Sequence, residues 1–212
     1  MKQQIAVMIY PYFSMQEIAN TCALFRWYCD SQTVIFASGM EPVLSEEGIL
    51  VQPQKRLAEF RAEDYDCLVL SGCSDFRPAL QDAALMEFVK RLKDFPNLLI
   101  GAICAGPLLL AIGGVLQGKK FVNQLFWDMN ERLLCIEEQN FVCQPVVTDG
   151  NIVTALGSAY ADFAITLARK LGYDCPDTAY KPSLKALTED DYKARLDAEG
   201  IQEFENAFAD YL

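Results

Sequence analysis

The sequence predicts an α/β fold of three layers, a mainly parallel sheet with helices on both faces, followed by a C-terminal helical extension. Two observations predict it. Short apolar runs rich in β-branched residues alternate with stretches whose apolar residues recur every three or four positions, the pattern of buried strands joined by amphipathic helices. The 212 residues suit one domain with an appendage, divided here as 1–175 and 176–212. A chain of this size buries a full core without disulfides or a metal.

The elements follow in order. Ile5–Ile9 is a buried strand ended by Pro11, and Ser14 can cap a helix running to about Asp30 with Ile18, Cys22, Phe25 and Cys29 on one face. Thr33–Ala37 is a second strand, and Val43–Val51 reads as a hairpin turning at Glu46-Glu47-Gly48. Cys67–Leu70 is a strand, Asp82–Asp94 a helix with Leu85, Phe88, Val89 and Leu92 inward, and Leu98–Ile103 a further strand. Gly106 or Pro107 opens a helix ending near Gly118, and Phe121-Val122 is a strand stub. Asp149-Gly150 between two β-branched runs is a two-residue hairpin signal. Gly157-Ser158 starts a helix to about Leu171, and past Pro176 and Pro182 a helical pattern resumes with Thr188 as its expected cap.

Composition excludes several classes of function. There is no histidine, so no Ser-His-Asp triad, no Cys-His pair and no histidine-ligated metal can form. Proton transfer must use a carboxylate, a cysteine, a lysine, a tyrosine or water. The net charge of −11 argues against nucleic acid, which binds basic patches. Eight carboxylates against Lys193 and Arg195 place over half of that charge in Glu189–Leu212, which reads as the solvated face of a terminal helix or as an acidic interaction tail. Leu98–Gly118 carries no charge for 21 residues, but its glycines and Pro107 divide it into a buried strand and a buried helix, so no membrane span is expected. Eight cysteines without a C-x-x-C pair, mostly in apolar stretches, suggest buried reduced thiols. No leader-like segment stands ahead of the first strand, and the expectation is a cytoplasmic protein.

Chemistry concentrates at Gly101-Ala102-Ile103-Cys104-Ala105-Gly106-Pro107. A nucleophile at the tip of a sharp strand-to-helix turn is held in strained backbone above the sheet edge, and small neighbours let strand and helix approach. The following helix N-terminus favours thiolate over thiol, and its amides can bind an oxyanion. A buried structural cysteine is the competing reading of this segment taken alone.

Ile103-Cys104-Ala105-Gly106-Pro107 resembles the elbow of the ThiJ/PfpI superfamily, whose fold is flavodoxin-like and class I glutamine amidotransferase-like. Phe13-Ser14-Met15-Gln16-Glu17 resembles that family's first strand–helix junction, and Leu68-Val69-Leu70-Ser71-Gly72-Cys73 its glycine-rich oxyanion turn. Asp149–Ala155 followed by Gly157 and Ala161 resembles its hairpin and closing helix, so the likeness spans residues 3–172, about four fifths of the chain. The resemblance implies that Cys104 is the nucleophile or redox thiol and Glu17 the carboxylic acid bonded to its sulfur. A buried carboxyl there has a raised pKa; an exposed place on an amphipathic helix is the other reading of Glu17. The resemblance further implies backbone oxyanion donors at Gly72, Cys73 and Ala105, a homodimer, a small-molecule substrate and no cofactor or metal. Departures accompany the match. Ala105 stands where protease-like members have histidine, Asn123-Gln124 where others have histidine or tyrosine in the pocket, and Cys73 replaces a glycine. Thiol chemistry on a small electrophile, hydratase- or hydrolase-like and not proteolysis, is therefore expected, with non-enzymatic oxidation of Cys104 as the alternative.

Overall fold

The computed structural model describes residues 4–177, 179, 189–193 and 195–212. Among them, seven strands form one sheet: β1 (Gln4–Met8), β2 (Gln32–Ala37), β5 (Lys55–Arg56), β6 (Cys67–Leu70), β7 (Leu99–Ile103), β8 (Val146–Asp149) and β9 (Ile152–Ala155). Their order is β5-β2-β1-β6-β7-β9-β8, parallel except where β8 returns along β9. A small antiparallel hairpin, β3 (Val43–Leu44) with β4 (Leu50–Val51), stands apart from it.

Side chains alternate between two cores, which is why the strands read as unbroken apolar runs. Ala6, Met8, Leu68, Leu70, Ile100 and Ala102 enter one core, while Ile5, Val7, Cys67, Val69, Leu99 and Ile103 enter the other. The first core is closed by α3 (Ala83–Arg91), α4 (Pro107–Ile112) and α8 (Ala198–Ala207), through Leu85, Phe88, Leu109 and Phe204 among others. The second is closed by α1 (Met15–Tyr28) and α6 (Tyr160–Lys170), through Ile18, Phe25, Phe163 and Leu167. These are the two helical layers expected from sequence.

The chain winds outward from β1 through β2 to β5, then restarts at β6 and runs the other way through β7 to β9. The strand order therefore reverses between β1 and β6, and in such sheets ligands bind outside the carboxyl ends of the strands at that switch point. The loops that follow β6 and β7 carry Gly72 and Cys104, and the helix that follows β1 carries Glu17 in its first turn.

Several local expectations change. The helix after the elbow stops at Ile112, because Gly113 lies against Val89 and Gly114 takes a left-handed φ of 75°. Ser14 occupies the N-cap of α1 without making a side-chain cap bond. Two short helices, α2 (Arg77–Gln81) and α5 (Trp127–Arg132), had too little periodicity to be read from sequence, and the two-residue β5 was missed for the same reason. Only Cys29, Cys67 and Cys175 are buried; Cys22, Cys73, Cys104 and Cys135 are half-buried and Cys143 is exposed. Pro182 and the expected cap Thr188 lie outside the described residues. Beyond them come the short α7 (Glu189–Tyr192) and then α8, whose first turn Asp197 caps through Gly200 N at 2.8 Å. Arg195 pairs with Asp128 and Glu131, Leu196 N donates to Asp128 at 2.8 Å, and Arg132 pairs with Glu205, so α5 and the segment around α8 are tied together. Among the described residues, no helix is long and apolar enough to cross a membrane.

Close approach of elbow and sheet depends on Gly106. A Cβ there would sit 2.5 Å from Ser71 O and 2.9 Å from Ile103 O, both backbone atoms that cannot swing aside. Gly106→Ala is expected to destabilise the chain by about 3 kcal/mol, at the upper end of overpacking effects, read as a lowered urea midpoint with unchanged slope.

Candidate active site

The elbow is built by backbone strain held from both sides. Cys104 has φ +60°, a conformation non-glycine residues rarely adopt and which costs about 1–3 kcal/mol. Its N–H donates to Ala155 O at 2.8 Å, and its carbonyl accepts from Gln124 N at 2.8 Å. Strand β9 and the segment after α4 thus fix both peptide groups, and the side chain projects above the carboxyl end of β7.

Glu17 reaches it from the first turn of α1. The Glu17 side chain is only 8% exposed, and its Oε2 accepts from Gly72 N at 2.6 Å. The Cys104 thiol donates to the same carboxyl group. Of the two sequence readings of Glu17, the structure therefore places it in the buried pocket. Burial raises its pKa to about 7, opposed by the hydrogen bonds from Cys104 and Gly72 and reinforced by the charges of Glu46 and Glu47. Burial, and then the charge of Glu17, also push the Cys104 thiol well above its ordinary value, while the Ala105 amide pulls the other way. The expectation of a thiolate favoured by the helix end is thus corrected. Helix α4 is only six residues long, and desolvation beside a carboxylate outweighs it. Above neutrality the pair is a thiol hydrogen-bonded to a carboxylate.

The three expected oxyanion donors fare differently. The Gly72 amide is taken by Glu17, and the Ala105 amide hydrogen-bonds the Cys104 sulfur. Cys73 forms an isolated bridge with Phe13 framed by Ser14 N to Gly72 O (2.9 Å) and Ser74 N to Tyr12 O (3.3 Å). Its own amide has no backbone acceptor among the described residues. Gly72 is where the turn and the elbow meet most closely, since a Cβ there would fall 2.9 Å from Cys104 Cβ and 3.0 Å from Ala105 N.

Asn123 and Gln124 part company. Asn123 is fully buried, exchanges hydrogen bonds with Asn130 at 2.8 and 3.3 Å and accepts from Leu125 N, so it braces the chain and does not line the pocket. Gln124 is exposed, and its Oε1 accepts from Gly157 N at 2.7 Å. Gly157, which the sequence marked only as a helix start, closes the site. A methyl there would lie 3.0 Å from Glu17 Oε1 and 3.1 Å from both Cys104 Sγ and Gln124 Oε1. Tyr10, also missed, is fully buried and donates to Ser71 O at 2.5 Å, holding the turn that carries Gly72. The sequence reading ends the first strand at Ile9 and assigns Tyr10 no role. Among the described residues, no group of three or more His, Cys, Asp or Glu could hold a metal ion.

Two expected outcomes follow from this geometry. The folded-state value of Glu17 lies above the ordinary 4.5, so the folded chain keeps a proton that the unfolded chain has lost. Its contribution to stability is full below pH 4.5 and declines by about 3 kcal/mol as the pH rises through 7. Denaturation of Glu17→Gln across pH 4.5–8 should lack that decline. In Gly157→Ala the added methyl should slow alkylation of Cys104 by iodoacetamide about tenfold or more while leaving the circular dichroism spectrum unchanged.

The DJ-1/PfpI family profile matches residues 3–170. The chain is 30% identical over 141 residues to protein dj-1beta of Drosophila melanogaster, covering 66% of this chain and 73% of that protein. It is 27% identical over 173 residues to an isonitrile hydratase of Pseudomonas putida, covering 81% and 73%. A solved DJ-1 superfamily protein from Agrobacterium tumefaciens superposes with a TM-score of 0.70 at 26% identity, over 99% of each chain. With a profile match over most of its length, a relative at this identity and a shared three-layer architecture, the chain belongs to the DJ-1/PfpI family.

Proposed function

We propose that the chain is an enzyme that adds the Cys104 thiol to a small electrophile and completes a hydration or hydrolysis, with Glu17 carrying the proton. The observation that carries this reading is the convergence of the Cys104 sulfur, on its left-handed elbow, and the buried Glu17 carboxyl on the space beside Gly157. A carboxyl group with a pKa of about 7 is matched to moving protons at neutral pH. As Sγ bonds the electrophilic carbon, the thiol proton passes to the Glu17 carboxylate. The electron pair of the attacked π bond moves onto the substrate, beside the Cys73 amide, and Glu17 returns the proton there. Water then adds to the same carbon across the remaining π bond, Glu17 taking one of its protons and passing it to the atom that receives the electron pair. The C–S bond breaks as the new hydroxyl becomes a carbonyl, and the hydroxyl proton returns to sulfur to restore the thiol.

The likeness to an isonitrile hydratase supports an isocyanide as a substrate of this class. Absence of any imidazole argues against peptide hydrolysis, although another relative, from Bacillus subtilis, is named an uncharacterized protease. The alternative, a sensor oxidised at Cys104 without turnover, uses the same pair. A thiol held protonated beside a proton acceptor favours the addition chemistry, because the proton leaves only as the bond to carbon forms. We further propose a cytoplasmic homodimer that uses no cofactor and binds neither nucleic acid nor membrane. Members of this family are commonly dimers.

The test is turnover of simple alkyl isocyanides, followed by formamide production. Cys104→Ser should abolish it and Glu17→Gln should lower kcat about 100-fold or more. A Glu17→Gln variant with the parent's kcat would sink the mechanism. Selective oxidation of Cys104 by dilute peroxide, with no turnover of isocyanides, thioesters or carbonyls, would favour the sensor.

A further inference from the structure

The first turn of α1 is capped from outside the helix. The first backbone amides of a helix have no intrahelical acceptor, and Ser14, at the capping position, does not serve them. Glu47, about thirty residues further along the chain, does. Its Oε2 accepts from Met15 N at 3.1 Å, and its Oε1 accepts from Gln16 N at 2.9 Å and from Ser14 Oγ at 3.1 Å. Glu17 is the next residue.

The hairpin that delivers Glu47 is anchored to the segment between β1 and α1 and closed on itself. Tyr12 N donates to Leu44 O at 2.8 Å and Glu46 N to Phe13 O at 3.0 Å. Ser45 N donates to Ile49 O at 2.8 Å, Ile49 N to Ser45 Oγ at 3.2 Å, and Gly48 turns with φ +81°. One strap therefore spans the strand–helix junction and grips the turn that aims Glu17.

We infer that Glu47 is a positioning residue of the thiol site: its carboxylate clamps the first turn of α1, so that Glu17 meets Cys104 and Gly72 with a second negative charge held nearby. The inference rests on the proton-carrying role proposed for Glu17. Groups facing Glu17 are Cys104 from the elbow, Cys73 and Tyr10 from the adjoining strand ends, and Glu46 and Glu47 from the hairpin. The two hairpin carboxylates are the acidic members of that set, and both raise Glu17. Glu47 stays ionised across the useful range: desolvation opposes it, but hydrogen bonds from Gln16 N, Ser45 and Met15 N bring it down to about 2. A carboxylate near a second carboxyl raises the latter's pKa, so removing its charge lowers it.

The experiment is the pH dependence of Cys104 alkylation by iodoacetamide, followed by mass spectrometry of the Cys104 peptide, in the parent chain and in Glu17→Gln, Glu47→Gln and Glu47→Ala. In the parent chain the rate should rise with a midpoint near the Glu17 pKa, about 7. Glu47→Gln retains an acceptor oxygen without the charge, and its midpoint should move down by about 0.3–0.5 pH unit. Glu47→Ala should show that shift together with a plateau changed threefold or more, because the clamp is also lost. A cap serving only stability would lower the Tm of both variants and leave the midpoint where it was. Parent midpoints and plateaus in Glu47→Gln overturn the inference, even if Glu47→Ala fails to fold. If Glu17→Gln itself keeps the parent profile, the reading of Glu17 falls first, and the role of Glu47 with it.

Discussion

The backbone of Cys104 takes a left-handed conformation because two neighbouring segments hold it there, β9 through Ala155 O and the chain after α4 through Gln124 N. Neither bond is local, so the strain is borne by the sheet and not by the turn itself. The rest of the site is measured against this fixed point. Gly72 and Gly106 lack side chains because the β6 turn and the elbow touch backbone to backbone, and Gly157 lacks one because sulfur, Glu17 and Gln124 converge on the space beside it. Tyr10 closes the arrangement from below by holding Ser71 O, the atom against which Gly106 packs.

Burying a carboxyl group and a thiol together has an energetic consequence that the fold distributes. Desolvation disfavours ionisation of both; the charge of Glu17 further disfavours the thiolate, while the hydrogen bond from the thiol favours the carboxylate. Two backbone amides offset part of this, Gly72 on the carboxyl and Ala105 on the sulfur, and in doing so they leave the set of free anion donors. The site is consequently arranged around a shared proton more than around a preformed anion hole. Such a pair suits chemistry in which the thiol loses its proton during bond formation.

The layered fold was legible because its signals are local. Strands that alternate between two apolar cores show as unbroken apolar runs such as Cys67–Leu70, and helices covering one face show as three- and four-residue periodicity, as in Leu85, Phe88, Val89 and Leu92. Elements of five or six residues, α2 and α5, and the two-residue β5 carry too little pattern to register. The pairing of Cys104 with Glu17 was legible only through resemblance, since 86 intervening residues leave no spacing rule to read. The opposite fates of Asn123 and Gln124 were not legible at all. Adjacent residues of like chemistry face opposite ways, one into Asn130 and one toward Gly157.

By itself the sequence determined the alternating architecture, the glycine-flanked cysteine at a strand–helix turn and, through the absence of histidine, the exclusion of imidazole chemistry. These are matters of residue type and short-range pattern. Only the tertiary structure decided which amides remain unoccupied, that the thiol is held protonated, and that a hairpin glutamate caps the helix bearing Glu17. Those outcomes depend on desolvation and on hydrogen-bond directions between segments distant in the chain. Neither quantity exists until the strands have been laid side by side.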